Sequence, residues 1–402
     1  MKKIISLLFV CAFALNLEAQ EKADTTNPEG YKFTMLKQIK TTPVKNQYRS
    51  GTCWSFASMS FIETEMLREG KDSVDLSEMF TIYHVYSDKA VKDVRMHGEF
   101  NFGGGGGDND VFDVIEKYGI VPESVYSGLN YGEENHVHGE MDEVLKDYVA
   151  GVIKNKNKKL TPVWHKGFDG ILDAYLGKIP EKFTYKGKEY TPKTFAEKVV
   201  DINTGDYVFI TSFSHHPFYK QFILEVEDNW SYSKIYNVPL DDLIRIMDNS
   251  INNGYSVVWG ADVSEKGFSS RNGIAVVPEK DIANMSDSER SKWEKLSKRE
   301  KNAQLYKFDK PGKEKVITQE LRQEAFDNYE TTDDHGMHIT GIAKDQNGTK
   351  YYYVKNSWGT SYNDYNGYFY ASEAFARYKT ISIVVNKEAL PKDIAKKLGI
   401  KK

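Results

Sequence analysis

A Ser50-Gly51-Thr52 turn runs straight into Cys53, and Cys53 heads an amphipathic run that reaches Arg68. Apolar or small residues at Phe56, Ala57, Met59, Phe61, Ile62, Met66 and Leu67 recur at helical spacing, and Gly70 supplies a stop. The spacing predicts a helix whose first turn carries a thiol. Free backbone N–H groups and the positive end of the helix dipole favour a thiolate there. An ordinary thiol, with a pKa of about 8.5, is ionised to only a few per cent at neutral pH, and the thiolate is the nucleophilic form. Gln47 lies six positions upstream, a candidate donor to an oxyanion. The same residues also fit a small buried hydrophobe at a helix start, so the rest of the chain decides.

The chain holds two cysteines. Cys11 lies in an N-terminal segment with a basic start, Met1-Lys2-Lys3, and a short apolar run, Ile4 to Leu15. With a cleavage point after Ala19 or Gln20, residues 1–20 read as a secretory signal peptide. No stretch reaches the ~18–20 apolar residues of a membrane span. Removal of the signal leaves Cys53 alone, so no internal disulfide forms even in an oxidising compartment. An exported chain that keeps one unpaired cysteine tends to use it. Export without disulfides suits a Gram-negative periplasm, with full secretion as the alternative.

At 402 residues the chain exceeds the usual span of one core, so two lobes, or one core with large insertions, are expected. A net charge of −4 argues against a dedicated nucleic-acid surface. Tyr31 to Ile39 reads as a strand that delivers the chain to Gln47. Ser77 reads as the N-cap of a second helix. Five glycines, Gly103 to Gly107, precede a helix that ends at Gly119, and no Lys-Ser/Thr follows them as a phosphate loop requires. Further helices are expected over Gly139 to Ile153, Asp169 to Leu176 and Pro239 to Asn252, a turn-rich stretch over Pro180 to Tyr190, and a strand over Tyr255 to Val263. Residues 279–330 are heavily charged and read as solvated helices over Ser286 to Lys301 and Thr318 to Tyr329. Strand signals return at Met337 to Ile342, Lys350 to Val354, Gly367 to Tyr370 and Ile381 to Asn386, with Asn347-Gly348 as a hairpin turn. Helices early and strands late predict an α+β protein: a helical lobe over about 40–125, a helical insertion over about 125–205, a β lobe over about 205–278 and 331–390, and a charged helical insertion over about 279–330.

A cysteine nucleophile needs a base, a group that orients the base, and oxyanion donors. Asp333-Asp334-His335-Gly336-Met337-His338 opens one strand, and Lys355-Asn356-Ser357-Trp358-Gly359 ends its hairpin partner. The hairpin brings His335 and Asn356 to the same end of adjacent strands, where an amide oxygen accepts from the imidazole and Trp358 covers the bond. His338 competes as base, yet side chains three apart on a strand point to opposite faces, so only one of the two faces Cys53.

Thr42 to Trp54, Asp334 to Met337 and Lys355 to Gly359, in that order, resemble the three active-site segments of papain-like cysteine peptidases. Ser50 stands where many of these enzymes carry a disulfide cysteine, as in the bleomycin hydrolase or aminopeptidase C branch. Cys53 and His335 lie 282 positions apart, against roughly 130–150 in papain-type enzymes, and long insertions are similar to that branch. So are Leu176 to Pro180, Phe183 to Tyr185, Tyr190 to Pro192 and Val384 to Pro391. The resemblance implies a two-lobe fold, with the nucleophile helix in a helical lobe beside an antiparallel, barrel-like β lobe. It implies Cys53 as nucleophile, His335 as base and then acid, Asn356 as orienter with Trp358 and Asp334 behind it, Gln47 as oxyanion donor, and Gly105 and Gly106 as the pair that binds substrate backbone. Peptides are the implied substrates, no cofactor is implied, and a homo-oligomer, a hexamer with sites facing a chamber, is the implied assembly.

No His-Glu-x-x-His helix or cysteine knuckle marks a catalytic metal, although His136-Val137-His138 and His215-His216 are present. A catalytically inactive peptide-binding scaffold is disfavoured because Cys53, His335, Asn356 and Gln47 are all in place. Between aminopeptidase and endopeptidase the resemblance favours the first. There a C-terminal carboxylate holds the substrate amine; here the last residues carry Lys401 and Lys402, whose charge repels an ammonium, and an open-cleft endopeptidase is the alternative.

Overall fold

The structure is a computed structural model that describes residues 30–99, 101–280, 282 and 285–402. The expected signal segment lies outside the described residues. The chain enters on β1 (Thr34–Gln38) and passes to α1 (Cys53–Arg68), in which Trp54 to Met66 are all buried. A helix enclosed on every side belongs between two layers rather than on a surface. Its apolar side, Phe56, Met59, Phe61 and Ile62, enters a helical layer with α2 (Glu78–Arg95), α3 (Asn109–Tyr118), α4 (Gly139–Ile153) and α5 (Val163–Leu176). Ser77 caps α2, its hydroxyl accepting from the Phe80 N–H at 3.0 Å. The stretch expected as turns is a hairpin, β2 (Phe183–Tyr185) and β3 (Lys188–Tyr190), followed by the single turn α6 (Pro192–Phe195), with Phe195 buried against the Phe183 and Tyr190 rings.

The other layer is one mixed sheet. Its first strands are β4 (Tyr207–Thr211), β5 (Gln221–Ile223) and β6 (Lys234–Asn237); after α7 (Leu240–Asn252) come β7 (Val257–Ala261), β8 (Phe268–Ser269) and β9 (Ile274–Ala275). The charged region supplies α8 (Asp287–Lys295), α9 (Lys298–Leu305) and α10 (Gln319–Asp327). The chain then returns through β10 (His335–Lys344), β11 (Lys350–Lys355), β12 (Tyr368–Ser372), α11 (Glu373–Lys379), β13 (Thr380–Asn386) and α12 (Lys392–Leu398). Strand order is β5-β6-β4-β13-β7-β10-β11-β12-β9-β8, with β1 also on β10; the centre is antiparallel, and the β4–β6 and β12–β9 pairs are parallel. β10 is the axis of this sheet, buried at every position except its last and bordered by β7, β11 and β1.

Two expectations for the charged region change. The helix expected over Ser286 to Lys301 is broken in two, because the Ser297 hydroxyl accepts from the Glu300 N–H and starts a second helix. α10 is not a solvated helix either. Arg322 is fully buried, and its guanidinium donates to the carbonyls of Ser212 (2.7 Å), Arg377 (3.0 Å) and Thr380, tying α10 to the ends of β4 and α11.

Candidate active site

The site forms where α1 begins and β10 begins. Gly336 makes the contact possible: a Cβ there would sit 3.0 Å from Trp54 Cα and 3.2 Å from Trp54 N, both backbone atoms. Its own N–H donates to the sulfur of Cys53, which is half-buried. One residue earlier, His335 is buried, with Nε2 at 2.8 Å from Asn356 Oδ1. The amide oxygen only accepts, so Nε2 carries the proton and Nδ1 is the ring nitrogen left to take one from the thiol. Trp358 stacks on the imidazole at 4.7 Å and 28°, shielding the bond. Asp334 turns away, accepting from the N–H groups of Val263 (2.8 Å) and Ser264 (3.1 Å), and so pins the start of β10 rather than the imidazole.

Gln47 is brought to the same place by a short antiparallel contact. Its N–H donates to the Ser357 carbonyl at 2.8 Å, and the Gly359 N–H to the Lys45 carbonyl at 3.0 Å. The Gln47 side chain is fixed at both ends, Oε1 accepting from the Ser357 hydroxyl at 2.6 Å and Nε2 donating to the Ser50 carbonyl at 2.8 Å. One amide hydrogen remains to be donated. No side chain caps α1, because the Thr52 hydroxyl is engaged with Ser50 Oγ at 2.5 Å. The Ser55 N–H turns back to the Thr52 carbonyl at 3.0 Å, which leaves the N–H groups of Cys53 and Trp54 as the donors at the head of the helix beside the sulfur.

Burial dominates the electrostatics. It pushes the Cys53 thiol up to about 12, and the carboxyls of Asp228, Asp333 and Asp108 add to the rise against the Gly336 hydrogen bond. It pulls the His335 imidazole down to about 4 in spite of Asn356. The helix start does not ionise the thiol unaided. Burial thus disfavours the charged form of the sulfur and of the imidazole alike.

His338 faces α1 two turns further on, with Nδ1 at 2.9 Å from Ser60 Oγ, while Ser60 Oγ also accepts from Lys355 Nζ at 2.7 Å. Burial and the neighbouring Lys355 hold His338 well below the usual imidazole range, so it stays neutral. Below this cross-link, Thr42 donates to Glu63 at 2.5 Å, Glu63 accepts from the Leu76 N–H at 2.8 Å, and Lys45 meets Glu78 at 2.7 Å. None of this network stands out in the sequence, although Lys355 and Ser357 flank Asn356 directly.

The glycine run lies along the face that precedes Cys53. Trp54 Nε1 donates to the Gly104 carbonyl at 3.0 Å, and Lys89 Nζ donates to the carbonyls of Gly103 (3.0 Å) and Gly105. The two glycines singled out in the sequence are not equivalent. Gly105 is partly exposed beside Asp228, whereas Gly106 is buried, and a Cβ there would sit 2.6 Å from the Trp54 ring. Next to the run opens a cavity lined among others by Gly107, Asp108, Leu224, Val226, Asp228 and Asp333. Burial raises all three of these carboxyls, Asp108 to about 7. They come from three segments far apart in the chain, and no local pattern links them.

The model of the Peptidase C1-like family matches residues 10–305 and 301–401. Aminopeptidase C of Streptococcus thermophilus is 24% identical over 405 residues, covering 89% of this chain and 83% of the relative. Aminopeptidase C of Listeria monocytogenes is 24% identical over 422 residues, covering 93% and 87%. Aminopeptidase G of Lactobacillus delbrueckii subsp. lactis is 23% identical, covering 89% and 83%. In three dimensions the chain is similar to the crystal structure of PepW from Lactobacillus rhamnosis, with a TM-score of 0.64 at 22% identity over 91% of this chain and 84% of that one.

Proposed function

The chain belongs to the peptidase C1-like family, and on that premise we propose that it is a cysteine aminopeptidase worked by Cys53, His335, Asn356 and Gln47. Its fold is the α+β, papain-like one. The observation that carries the reading is the pairing at one spot of the Gly336 N–H on the Cys53 sulfur with the His335–Asn356 hydrogen bond of 2.8 Å.

In the proposed reaction the Cys53 proton moves to His335 Nδ1 as sulfur attacks the substrate carbonyl. The oxyanion is met by the Cys53 N–H and the free Gln47 amide hydrogen. Collapse expels the amine, which takes the proton from His335. Water, deprotonated by the same imidazole, then cleaves the thioester and restores the thiol. Asn356 keeps the ring in the tautomer that each step needs, and Trp358 keeps water from the bond that orients it.

The restriction to free N-termini is supported by the carboxyls of Asp108, Asp228 and Asp333 around the cavity beside the glycine run. An ammonium entering there offsets the cost that burial imposes on those charges. Lys402 lies elsewhere, donating to the carbonyls of Glu388 (2.8 Å) and Leu390. Gly105, partly exposed where Gly106 is buried, is the better candidate for pairing with substrate backbone.

Export through residues 1–20 to the periplasm, and a homo-oligomer that encloses the sites, complete the proposal. Among the described residues no helix is long and apolar enough to cross a membrane. The deciding experiment compares a free-amine fluorogenic peptide with its N-blocked twin. Faster cleavage of the free amine supports the aminopeptidase, and equal rates favour an endopeptidase.

A further inference from the structure

On the outer side of the sheet edge, far along the chain from the catalytic residues, His215, His216 and Glu225 converge. His215 Nε2 lies 3.1 Å from one carboxylate oxygen of Glu225, and His216 Nε2 lies 2.9 Å from the other. One ligand atom from each of the three lies within 4.8 Å of the others. Sequence neighbours seldom aim their rings at one point, and here the packing imposes it. His216 stacks on Phe222 at 4.3 Å; His215 meets Phe222 edge-on at 5.6 Å and lies parallel to Phe326 at 5.8 Å. Beneath them the fully buried Asn237 fixes the loop backbone, donating to the carbonyls of Phe213 (2.7 Å) and His216 (2.8 Å) and accepting from the Phe213 N–H at 2.9 Å. On the far side of the His215 ring, Gln323 Nε2 stands 3.0 Å from Nδ1. The imidazoles are thus held in place by groups other than the carboxylate they face.

We propose that His215, His216 and Glu225 bind a divalent transition-metal ion of the zinc class. Two imidazole nitrogens and one carboxylate suit zinc, cobalt or nickel and not calcium or magnesium, which take oxygen ligands. Without metal each Nε2–H donates to Glu225. On binding, each ring carries its proton on Nδ1, freeing the Nε2 lone pair for the ion, while the Glu225 carboxylate supplies the third ligand. A small swing of the Gln323 amide presents its oxygen, 3.4 Å from Nδ1, to the new His215 Nδ1–H, the orienting contact that metal-bound histidines keep. The three side chains retain 28%, 35% and 58% exposure, leaving a coordination position open to water. Leu224 and Val226, on either side of Glu225, line the cavity near the catalytic cysteine, so the ion would brace that wall from behind.

The test is titration of the untagged protein with Co²⁺, followed by displacement with Zn²⁺. One equivalent is expected to bind with d–d absorption and no sulfur-to-cobalt charge-transfer band, equally in the native protein and in Cys53→Ala. His216→Ala and Glu225→Gln should each weaken binding by at least about tenfold. Glu225→Gln keeps an acceptor oxygen for one ring, and the other ring meets the amide NH2 by carrying its proton on Nδ1, so thermal unfolding without metal should stay close to that of the native protein, and only the native protein should gain stability from added Zn²⁺. Unchanged affinity in both variants, a sulfur-ligated spectrum lost in Cys53→Ala, or no binding would overturn the proposal and leave a hydrogen-bonded clip.

Discussion

Ser357 donates its hydroxyl to Gln47 Oε1 at 2.6 Å, so the residue beside Asn356 also sets the amide offered to the oxyanion. The two amides of the proposed mechanism, Gln47 and Asn356, are therefore placed by one short segment. Gln47→Ala should lower kcat by roughly 10²–10³ with little change in KM, as loss of a donor used mainly in the transition state does. Ser357→Ala should lower kcat in the same sense, by about tenfold, because the amide persists but loses its aim. Steady-state kinetics on one peptide amide checks both, and an unchanged kcat in Gln47→Ala would move the oxyanion role elsewhere.

Cys53→Ala should abolish hydrolysis while leaving the fold intact, since the side chain is only partly buried and forms no disulfide. A thiol-reactive epoxide should label the native protein once, at Cys53, as mass spectrometry of the peptide would read. Residual turnover above a few per cent in the variant would remove Cys53 as nucleophile.

Gly336→Ala should cost activity without touching any reacting group. The added methyl meets the backbone of Trp54 at 3.0 Å and must push β10 from the start of α1. A loss of kcat by about two orders of magnitude is expected from a misplacement of that kind, and a kcat within twofold of the native enzyme would show that the contact is slack.

Asp228→Asn and Asp333→Asn should raise KM for free-amine peptides several-fold and leave N-blocked peptides unaffected, because only the former bring an ammonium to these carboxyls. A parallel loss on both substrates would mean that the residues shape the cleft rather than read the charge.

Stability should depend on pH through two opposed sets of buried groups. Burial raises Glu78, Asp108 and Asp110 to about 7 and Glu123 to about 8, from 3.8 or 4.5, so their contribution is complete at low pH and is lost as pH rises through those values. His84, His136, His138 and His335 are lowered from 6.5 to about 4, so theirs is complete above 6.5 and is lost as pH falls towards 4. The trends offset each other between 4.5 and 6.5, and above 6.5 only the carboxyls continue to titrate. Thermal midpoints measured across this range should lie on a plateau in mild acid and fall towards pH 8. A midpoint that rises from pH 6.5 to 8 would contradict these shifts.

What the sequence discloses is local. Cys53 to Arg68 repeats at helical spacing, and the strand–turn–strand from His335 to Lys355 alternates around Asn347-Gly348, whose glycine takes φ +84°; each pattern lies within a few turns or one hairpin. What it hides depends on residues that meet only after folding. Asp108, Asp228 and Asp333 share a cavity through three separate returns of the chain, and Glu225 reaches His215 only because β5 doubles back. The short strands β5, β6, β8 and β9 are too brief to alternate visibly, and the burial of Arg322 is set by carbonyls of other elements. The break at Ser297 was readable, since Ser297 and Glu300 form a capping pair that the overall charge of the region obscured.

α1 and β10 leave the site in the same direction, Gly336 meeting Cys53 and Trp54, His338 meeting Ser60. A slide of one along the other would separate sulfur from imidazole while leaving every turn and every ladder rung whole. The Ser60 hydroxyl, held by His338 on one side and Lys355 on the other, acts as a detent against that shear. Loosening it would silence the enzyme mechanically, with its secondary structure and its chemistry both nominally complete.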